Sequence, residues 1–171
     1  MVLKGLIFLT LATITVNCSK GDANTLTPEF DFSAVTPVAI VDQWKQELID
    51  IAREARDKAY TPYSNYKVGA AVICEDGFAY RGCNVENASC GLTCCAERIA
   101  IFNAIAQGQK KIHVIAVVSR KGSVPCGACL QVMSEFNDDM GIILADQNGK
   151  YVEEFCLKDV LPKQFIDKDL K

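Results

Sequence analysis

The amino-acid sequence predicts an α/β protein in which one sheet of about five strands is covered by helices. Three observations predict this fold class: short apolar runs of strand length, amphipathic segments of helix length between them, and turns rich in Gly, Pro and Asn that separate them. The order α-β-β-α-β-α-β-β-α is typical of a single sheet packed against helices. A chain of 171 residues is long enough for one domain with a sizeable core.

The first helix and the first two strands follow from periodicity. Apolar residues recur at helical spacing over 44–59, with charged residues on the other faces, and Pro62 ends that helix. Residues 68–74 and 78–83 have strand character, and the Glu-Asp-Gly sequence between them is typical of a hairpin turn.

The second half of the chain alternates helices and strands. Five segments have the required periodicity: a helix at 95–107, a strand at 112–119, a helix at 126–136 and strands at 142–145 and 151–155. Gly108 ends the first of these helices, and Pro125 stands just ahead of the second. Residues 158–165 predict a short C-terminal helix.

The first 37 residues differ from the rest and predict an extension ahead of a domain at 38–171. Residues 1–18 contain one Lys, an apolar stretch and then small residues, which is the pattern of a secretory signal peptide. A tail with a chance apolar bias is the alternative. The apolar stretch is too short to span a membrane in the mature protein. Residues 19–37 predict a linker, and we expect secretion if residues 1–18 act as a signal.

Charge and histidine content exclude several functions. The chain has 18 Lys+Arg against 21 Asp+Glu, a formal net charge of -3. Nucleic-acid binding needs a basic patch, so no nucleic-acid partner is expected. The single histidine, His113, excludes three-His zinc sites and H-E-x-x-H proteases. Because His113 lies in a predicted buried strand, we expect it to be structural and hydrogen-bonded.

The chemistry is expected to rest on cysteines and carboxylates. Two of the nine cysteines, Cys126 and Cys129, lie one turn apart at the start of a predicted helix, and Cys95 begins the other central helix. The unpaired N–H groups and the dipole at a helix N-terminus stabilise thiolates. Three thiolates from two helix starts supply three of the four corners of a zinc tetrahedron.

Other interpretations of these cysteines stay open. A C-x-x-C motif also serves thioredoxin-like redox proteins, although there it normally follows the first strand of a βαβ unit. A closed structural zinc site would take Cys90 or Cys94 as its fourth ligand. Adjacent Cys94 and Cys95 point about 100° apart on a helix, so they do not easily share one metal.

Glu97 and Arg98 favour a catalytic metal site. Glu97, two residues after Cys95, is badly placed to be a ligand but lies within reach of the open face of the metal. A divalent cation lowers the pKa of a water at its open position, and a carboxylate that is not a ligand can act as general acid and base. Arg98 can donate to the sulfurs and offset their charge. The alternative is a solvated charge pair in the first turn of the helix.

The C-A-E…P-C-x-x-C pair resembles the signature of the zinc deaminases. Over residues 40–166 the chain resembles the small homotetrameric cytidine deaminases in six segments: 69–71, 82–88, 95–98, 125–129, 131–132 and 161–165. The resemblance implies a three-layer α/β/α fold around a mixed sheet and one Zn²⁺ per subunit. It also implies hydrolysis of cytidine and deoxycytidine to uridine and deoxyuridine with release of ammonia, in pyrimidine salvage. The resemblance further implies a homotetramer and, if residues 1–18 are not a signal, a cytoplasmic location.

Transferred position by position, the resemblance implies a role for each site residue. Zinc is held by three ligands and Glu97 moves protons. The implied zinc ligands are Cys95, Cys126 and Cys129, with Arg98 beside them. The implied ribose contacts are Asn84 and Glu86. The implied further substrate contacts are Tyr66, Val68, Ala96 and Phe165, the last from a neighbouring subunit. Core packing is the alternative for Tyr66, Val68 and Phe165.

Three residues depart from the family pattern. Cys90 replaces an aromatic residue, Leu130 an Arg and Val124 a Ser. None of them is an implied zinc ligand, so activity is expected, and any effect should fall on subunit contacts or substrate preference. Two further functions stay open: a non-catalytic, zinc-stabilised binding protein with this fold, and an aminohydrolase of another cytosine compound, of the blasticidin type.

Overall fold

The computed structural model describes residues 37–166, with side chains from Trp44 onward. Its elements are α1 Pro37–Asp57, β1 Gly69–Cys74, β2 Ala79–Cys83, α2 Ala96–Ala106, β3 Ile112–Val118, α3 Gly127–Phe136, β4 Gly141–Ala145, β5 Tyr151–Cys156 and α4 Leu157–Val160. The predicted order of helices and strands is confirmed. The predicted signal peptide and nearly all of the predicted linker lie outside the described residues.

The five strands form one mixed sheet in the order β2-β1-β3-β4-β5. Strands β3 and β4 are parallel, and the other three neighbouring pairs are antiparallel. A parallel pair needs a crossover connection, and here the crossover contains α3. The predicted α/β fold class with about five strands is confirmed.

Side chains of the central strands point alternately to two faces, and each face is covered. On one face Leu48 and Ala52 of α1 pack against Ala71 of β1. On the other face Val72 packs in a cluster with residues of α2 and α3, including Ala100. All residues of β1 and β4 are buried, as expected for strands covered on both faces. The result is three layers, with α1 below the sheet and α2 and α3 above it.

Two glycines allow the helices to approach the sheet closely. A Cβ atom at Gly69 would lie 2.0 Å from the carbonyl oxygen of Ala52 in α1, and one at Gly82 would lie 2.4 Å from the backbone nitrogen of Ala100 in α2. Any side chain at Gly82 would therefore displace the backbone of α2. Gly82 thus helps to set the position of the helix that begins next to Cys95.

The C-terminal helix is shorter than predicted. It was expected at 158–165, but α4 is the single turn Leu157–Val160. Pro162 explains the early end, because a residue before proline disfavours helical backbone and proline has no N–H to donate. A short 3₁₀ helix, Cys90–Leu92, was not predicted.

The single histidine lies near the start of β3, at the end of the strand away from the connection to α3. Burial and the neighbouring charge of Lys111 lower the pKa of His113. The imidazole of His113 was expected to be hydrogen-bonded. Within residues 44–166 no such hydrogen bond is found. None of the helices in 37–166 has the length and apolar character needed to cross a membrane.

Candidate metal and active site

Three cysteine sulfurs converge where α2 and α3 begin. Cys95 is the N-cap of α2 and Cys126 is the N-cap of α3, both with extended backbone, and Cys129 lies in the first turn of α3. The Sγ atoms of Cys95 and Cys126 are 4.0 Å apart, and those of Cys126 and Cys129 are 3.6 Å apart. All three lie within 4.8 Å of one another. We call these three Sγ atoms the sulfur cluster.

The sulfur cluster has the dimensions of a zinc site. Zinc–sulfur bonds of about 2.3 Å at tetrahedral angles place two sulfurs about 3.8 Å apart, which is close to both of these distances. All three cysteines are free thiols, at separations far beyond the roughly 2.05 Å of a disulfide. Neither Cys90 nor Cys94 belongs to the cluster, which is the only such group of His, Cys, Asp or Glu among the described residues. No cysteine of the described residues is therefore placed as a fourth ligand.

The charge of the sulfur cluster also fits a divalent cation. Hydrogen bonds from Cys129, Arg98 and Cys126 lower the pKa of Cys95 to about 5. The Cys95 thiolate and burial in turn raise the pKa of Cys129 well above its ordinary value. The negative charge at Cys95 thus opposes ionisation of Cys129. A bound cation removes this repulsion and deprotonates coordinating thiols.

Arg98 lies beside the sulfur cluster, as predicted. Its Nη2 donates to the carbonyl oxygen of Thr93 at 3.1 Å and to Cys95 Sγ at 3.8 Å. Its Nε is buried without a hydrogen-bond partner in the described part of the chain. The guanidinium therefore faces the thiolate that carries the charge.

Glu97 is a buried carboxyl group in the first turn of α2. It is 4% exposed, so the alternative of a solvated charge pair is wrong. Burial raises the pKa of Glu97, the nearby Cys95 thiolate raises it further, and a hydrogen bond with the Cys129 side chain acts in the opposite direction. A carboxyl group that holds its proton more firmly than usual is suited to general acid and base work. Ala96, next to it, is fully buried.

Asn84, an implied ribose contact, is already bonded to the backbone. It is 8% exposed, and its Oδ1 accepts from Val68 N at 2.9 Å while its Nδ2 donates to Tyr66 O at 2.8 Å. Each end of an amide side chain can make one more hydrogen bond. This structural role of Asn84 was not predicted from the sequence. Its only signal is a short polar residue directly after a strand.

Glu86, the second implied ribose contact, is bonded in a similar way. Its carboxylate accepts hydrogen bonds from Tyr63 N at 2.9 Å and Ser64 N at 3.3 Å, and from the hydroxyl of Ser64. The Ser64 hydroxyl is the main cause of the lowered pKa of Glu86, and the two backbone bonds add to it. Both implied ribose contacts therefore hold the 63–68 segment in place.

The remaining implied contacts lie in three different surroundings. Val68 packs against the core cluster of α2 and α3, as its alternative proposed. Tyr66 is half-buried, with its hydroxyl 3.0 Å from Ser123 Oγ. Phe165 is 57% exposed, which contradicts core packing for this residue. Gln131 holds the backbone of Phe165, with Nε2 to Phe165 O at 2.8 Å and Phe165 N to Oε1 at 3.4 Å.

Comparison with known proteins identifies the family. Residues 42–145 match the family model described as cytidine and deoxycytidylate deaminase zinc-binding region. The chain belongs to this deaminase family. The cytidine deaminase of Sporosarcina psychrophila is 44% identical over 128 residues, which cover 73% of this chain and 93% of that protein. The cytidine deaminase of Halalkalibacterium halodurans is 43% identical over 129 residues, which cover 74% and 97%.

The structural comparison agrees with the sequence comparison. The crystal structure of the cytidine deaminase from Burkholderia pseudomallei matches with a TM-score of 0.66 and 46% identity, over 70% of this chain and 97% of that one. The predicted deaminase family and the predicted enzyme class are thereby confirmed. The predicted cofactor, Zn²⁺, is confirmed by the zinc-binding region of the family and by the sulfur cluster of this deaminase.

Proposed function

We propose that this deaminase hydrolyses cytidine and deoxycytidine to uridine and deoxyuridine, with release of ammonia, in pyrimidine salvage. The observation that carries the proposal is the buried carboxyl of Glu97 beside a sulfur cluster of zinc dimensions. Two relatives named cytidine deaminase, each matched over more than nine-tenths of its length, support the nucleoside as substrate.

The residues of the site divide the work. Cys95, Cys126 and Cys129 would hold the Zn²⁺, which when bound makes a water acidic enough to lose a proton near neutral pH. Glu97 takes that proton on its carboxylate and passes it to the ring nitrogen beside the amine-bearing carbon. The oxygen of that water bonds to the amine-bearing carbon. Glu97 then moves the remaining proton of that oxygen to the exocyclic amine, the carbon–nitrogen bond breaks, and ammonia leaves while the oxygen stays as the carbonyl of the product. Arg98 keeps its positive charge against the Cys95 sulfur throughout.

Substrate binding uses the polar groups around the site. Asn84 and Glu86 would each use a remaining hydrogen-bonding position for the ribose hydroxyl. Tyr66, Val68 and Ala96 would contact the base.

A homotetramer would supply a further contact with the base. In this assembly, Phe165 of one subunit stacks on the base held by another, because an aromatic face suits such stacking. Phe165 is exposed and fastened by Gln131, which supports this role. Large apolar side chains are also exposed in the segments that flank the site, at Tyr60, Tyr63, Val85 and Leu92. Such a patch is typical of a surface that a partner covers.

An assay of ammonia release on the purified protein, with its zinc content measured, tests this function. We expect one zinc per chain and release from cytidine and deoxycytidine, with none from single-stranded DNA. A zinc-loaded, folded protein that releases ammonia from no nucleoside would instead be a binding protein. If ammonia is released only from a cytosine compound that lacks ribose, and not from the nucleosides, the protein would be an aminohydrolase of the blasticidin type.

The location of the enzyme is a separate proposal. We propose export, since residues 1–18 have the pattern of a signal peptide. N-terminal sequencing of the mature protein tests it. A mature chain that begins at Met1 would contradict export and favour the cytoplasm.

A further inference from the structure

A chain of hydrogen bonds connects the end of β2 to the loop that carries Cys126. We name residues 119–125 the metal loop, because Cys126 follows directly. From this connection we infer that Tyr66, through its hydroxyl group and Ser123, is a positioning residue that fixes the metal loop and so the distance between Cys95 and Cys126. The inference rests on the proposed function, in which these two cysteines are zinc ligands.

The first step is the fixation of the Tyr66 backbone. The buried side chain of Asn84 binds Tyr66 O at 2.8 Å and Val68 N at 2.9 Å. The backbone on both sides of Lys67 is therefore attached to one residue at the end of β2. Tyr66 thus projects its side chain from a fixed point.

The second step is the contact of that side chain with the metal loop. The Tyr66 hydroxyl lies 3.0 Å from Ser123 Oγ. The guanidinium of Arg120, in the same loop, stands 5.7 Å from the centroid of the Tyr66 ring, within the range of a cation–π contact. Two residues of the metal loop therefore contact one side chain.

The third step runs from Ser123 to Cys126. Ser123 N donates to the hydroxyl of Ser119 at 2.8 Å, and Ser119 is 1% exposed at the end of β3. Only Val124 and Pro125 separate Ser123 from Cys126. Pro125 is buried, and its ring fixes its φ angle. Because this short connection has little conformational freedom, a displacement of Ser123 also displaces Cys126.

Cys95, on the other side of the sulfur cluster from Cys126, is also connected to the end of β2. Val85, next to Asn84, exchanges two backbone hydrogen bonds with Cys94, at 2.9 and 3.0 Å, and Cys94 directly precedes Cys95. The separation of Cys126 and Cys129 is set within α3. Cys95 and Cys126 belong to different helices, and their Sγ atoms are 4.0 Å apart. Each of these two cysteines is connected to residues 84–85: Cys95 through Cys94 and Val85, and Cys126 through Ser123, Tyr66 and Asn84.

Transfer of zinc from the full-length protein to an excess of chelator tests the inference. We expect Tyr66→Phe and Ser123→Ala to speed zinc transfer by about threefold to tenfold, the size of effect that one hydrogen bond has on an equilibrium. The double variant should be no faster than either single variant, because both remove the same bond. Ser123→Thr, which keeps a hydroxyl, should behave as wild type.

Tyr63→Phe is the matched control. It removes a tyrosine hydroxyl from the same segment, and within residues 44–166 no hydrogen bond reaches that hydroxyl; the side chain is 60% exposed. Its zinc transfer rate should equal that of wild type. Absorption of the Co²⁺-loaded proteins provides a second readout, since its thiolate bands report ligand geometry. These bands should shift in Tyr66→Phe and Ser123→Ala alone.

Two results would overturn the inference. One is a wild-type transfer rate and Co²⁺ spectrum in Tyr66→Phe. The other is a double variant in which the effects of the single variants add, because the two groups would then act independently. Neither measurement requires turnover. A protein without deaminase activity would therefore contradict the proposed function, but its zinc transfer rate and Co²⁺ spectrum could still be measured and would still test the role of Tyr66.

Discussion

The sulfur cluster and the 84–86 segment are neighbouring regions that satisfy their polar groups in different ways. Around Cys95 and Cys129, sulfurs share one negative charge and need a cation to ionise together. In the 84–86 segment, the side chains of Asn84 and Glu86 are already bonded to the backbone of 63–68. The first region is complete only with an ion, whereas the second is stable before a substrate arrives. A ligand that binds there must share groups that also hold the fold.

The strongest way to separate the two regions is to remove a sulfur. We expect Cys126→Ala to lose nearly all bound zinc and all measurable turnover, because the ion keeps two protein ligands instead of three. Metal analysis together with the ammonia assay measures both effects. Cys90→Ser is the matched control, since that exposed thiol lies outside the cluster. A Cys126→Ala protein with full zinc content would contradict the ligand assignment.

Glu97→Gln should remove chemistry without removing the metal. The amide has the size of the carboxyl but cannot accept and return a proton. We expect turnover to fall by about 10²-fold to 10⁴-fold, the usual contribution of general acid–base catalysis, with zinc content unchanged. Steady-state rates and metal analysis check this prediction. Wild-type turnover in this variant would refute the catalytic role of Glu97.

Alkylation of the metal-free protein should reveal the charge of the sulfur cluster. Hydrogen bonds hold the pKa of Cys95 at about 5, while burial raises the pKa of its neighbour Cys94. The thiolate is the reactive form, so the rate at Cys95 should rise with pH, reach half its maximum near pH 5 and stay flat above. Iodoacetamide labelling with peptide mapping at pH 6 should find Cys95 modified and Cys94 unmodified. Equal labelling of both would argue against this distribution of charge.

The smallest effect is expected in the 84–86 segment. Asn84→Ala leaves Val68 N and Tyr66 O without their partners, so the free energy of unfolding should fall by about 1–3 kcal/mol. Chemical denaturation of zinc-loaded protein measures this change. Asn87→Ala serves as a comparison, because within residues 44–166 the side chain of Asn87 binds only the nearby Ser89 backbone. If Asn84→Ala unfolds as wild type does, the hydrogen bonds to 66–68 do not stabilise the fold.

Much of the fold could be predicted because its signals are local. The helix predicted at 95–107 is found at Ala96–Ala106, and the strand predicted at 112–119 is Ile112–Val118. Periodicity and end signals within a segment decide such bounds. The C-terminal helix was predicted too long, because the prediction followed the apolar pattern over 158–165. In the structure the effect of Pro162 outweighs that pattern and ends the helix early. Strand order could not be predicted, since it depends on pairings between distant segments.

The candidate site shows the same division. The convergence of Cys95 with Cys126 and Cys129 was predicted from their positions at helix starts, and the structure confirms it. The bonds from Asn84 to 66–68 and from Gln131 to Phe165 were not foreseen. They join residues 16 to 34 positions apart, and nothing in either local sequence indicates its partner.

The sequence by itself determined the elements, the thiol set and the acidic neighbour of that set, because helix starts, ligand spacing and residue chemistry are written locally. Only the tertiary structure decided that Glu97 is buried, that ionisation of Cys95 opposes ionisation of Cys129, and that the implied ribose contacts also hold the backbone. The physical reason is that burial, pKa and hydrogen-bond satisfaction depend on which distant groups surround a side chain. Those neighbours are set when α2 and α3 pack on the sheet.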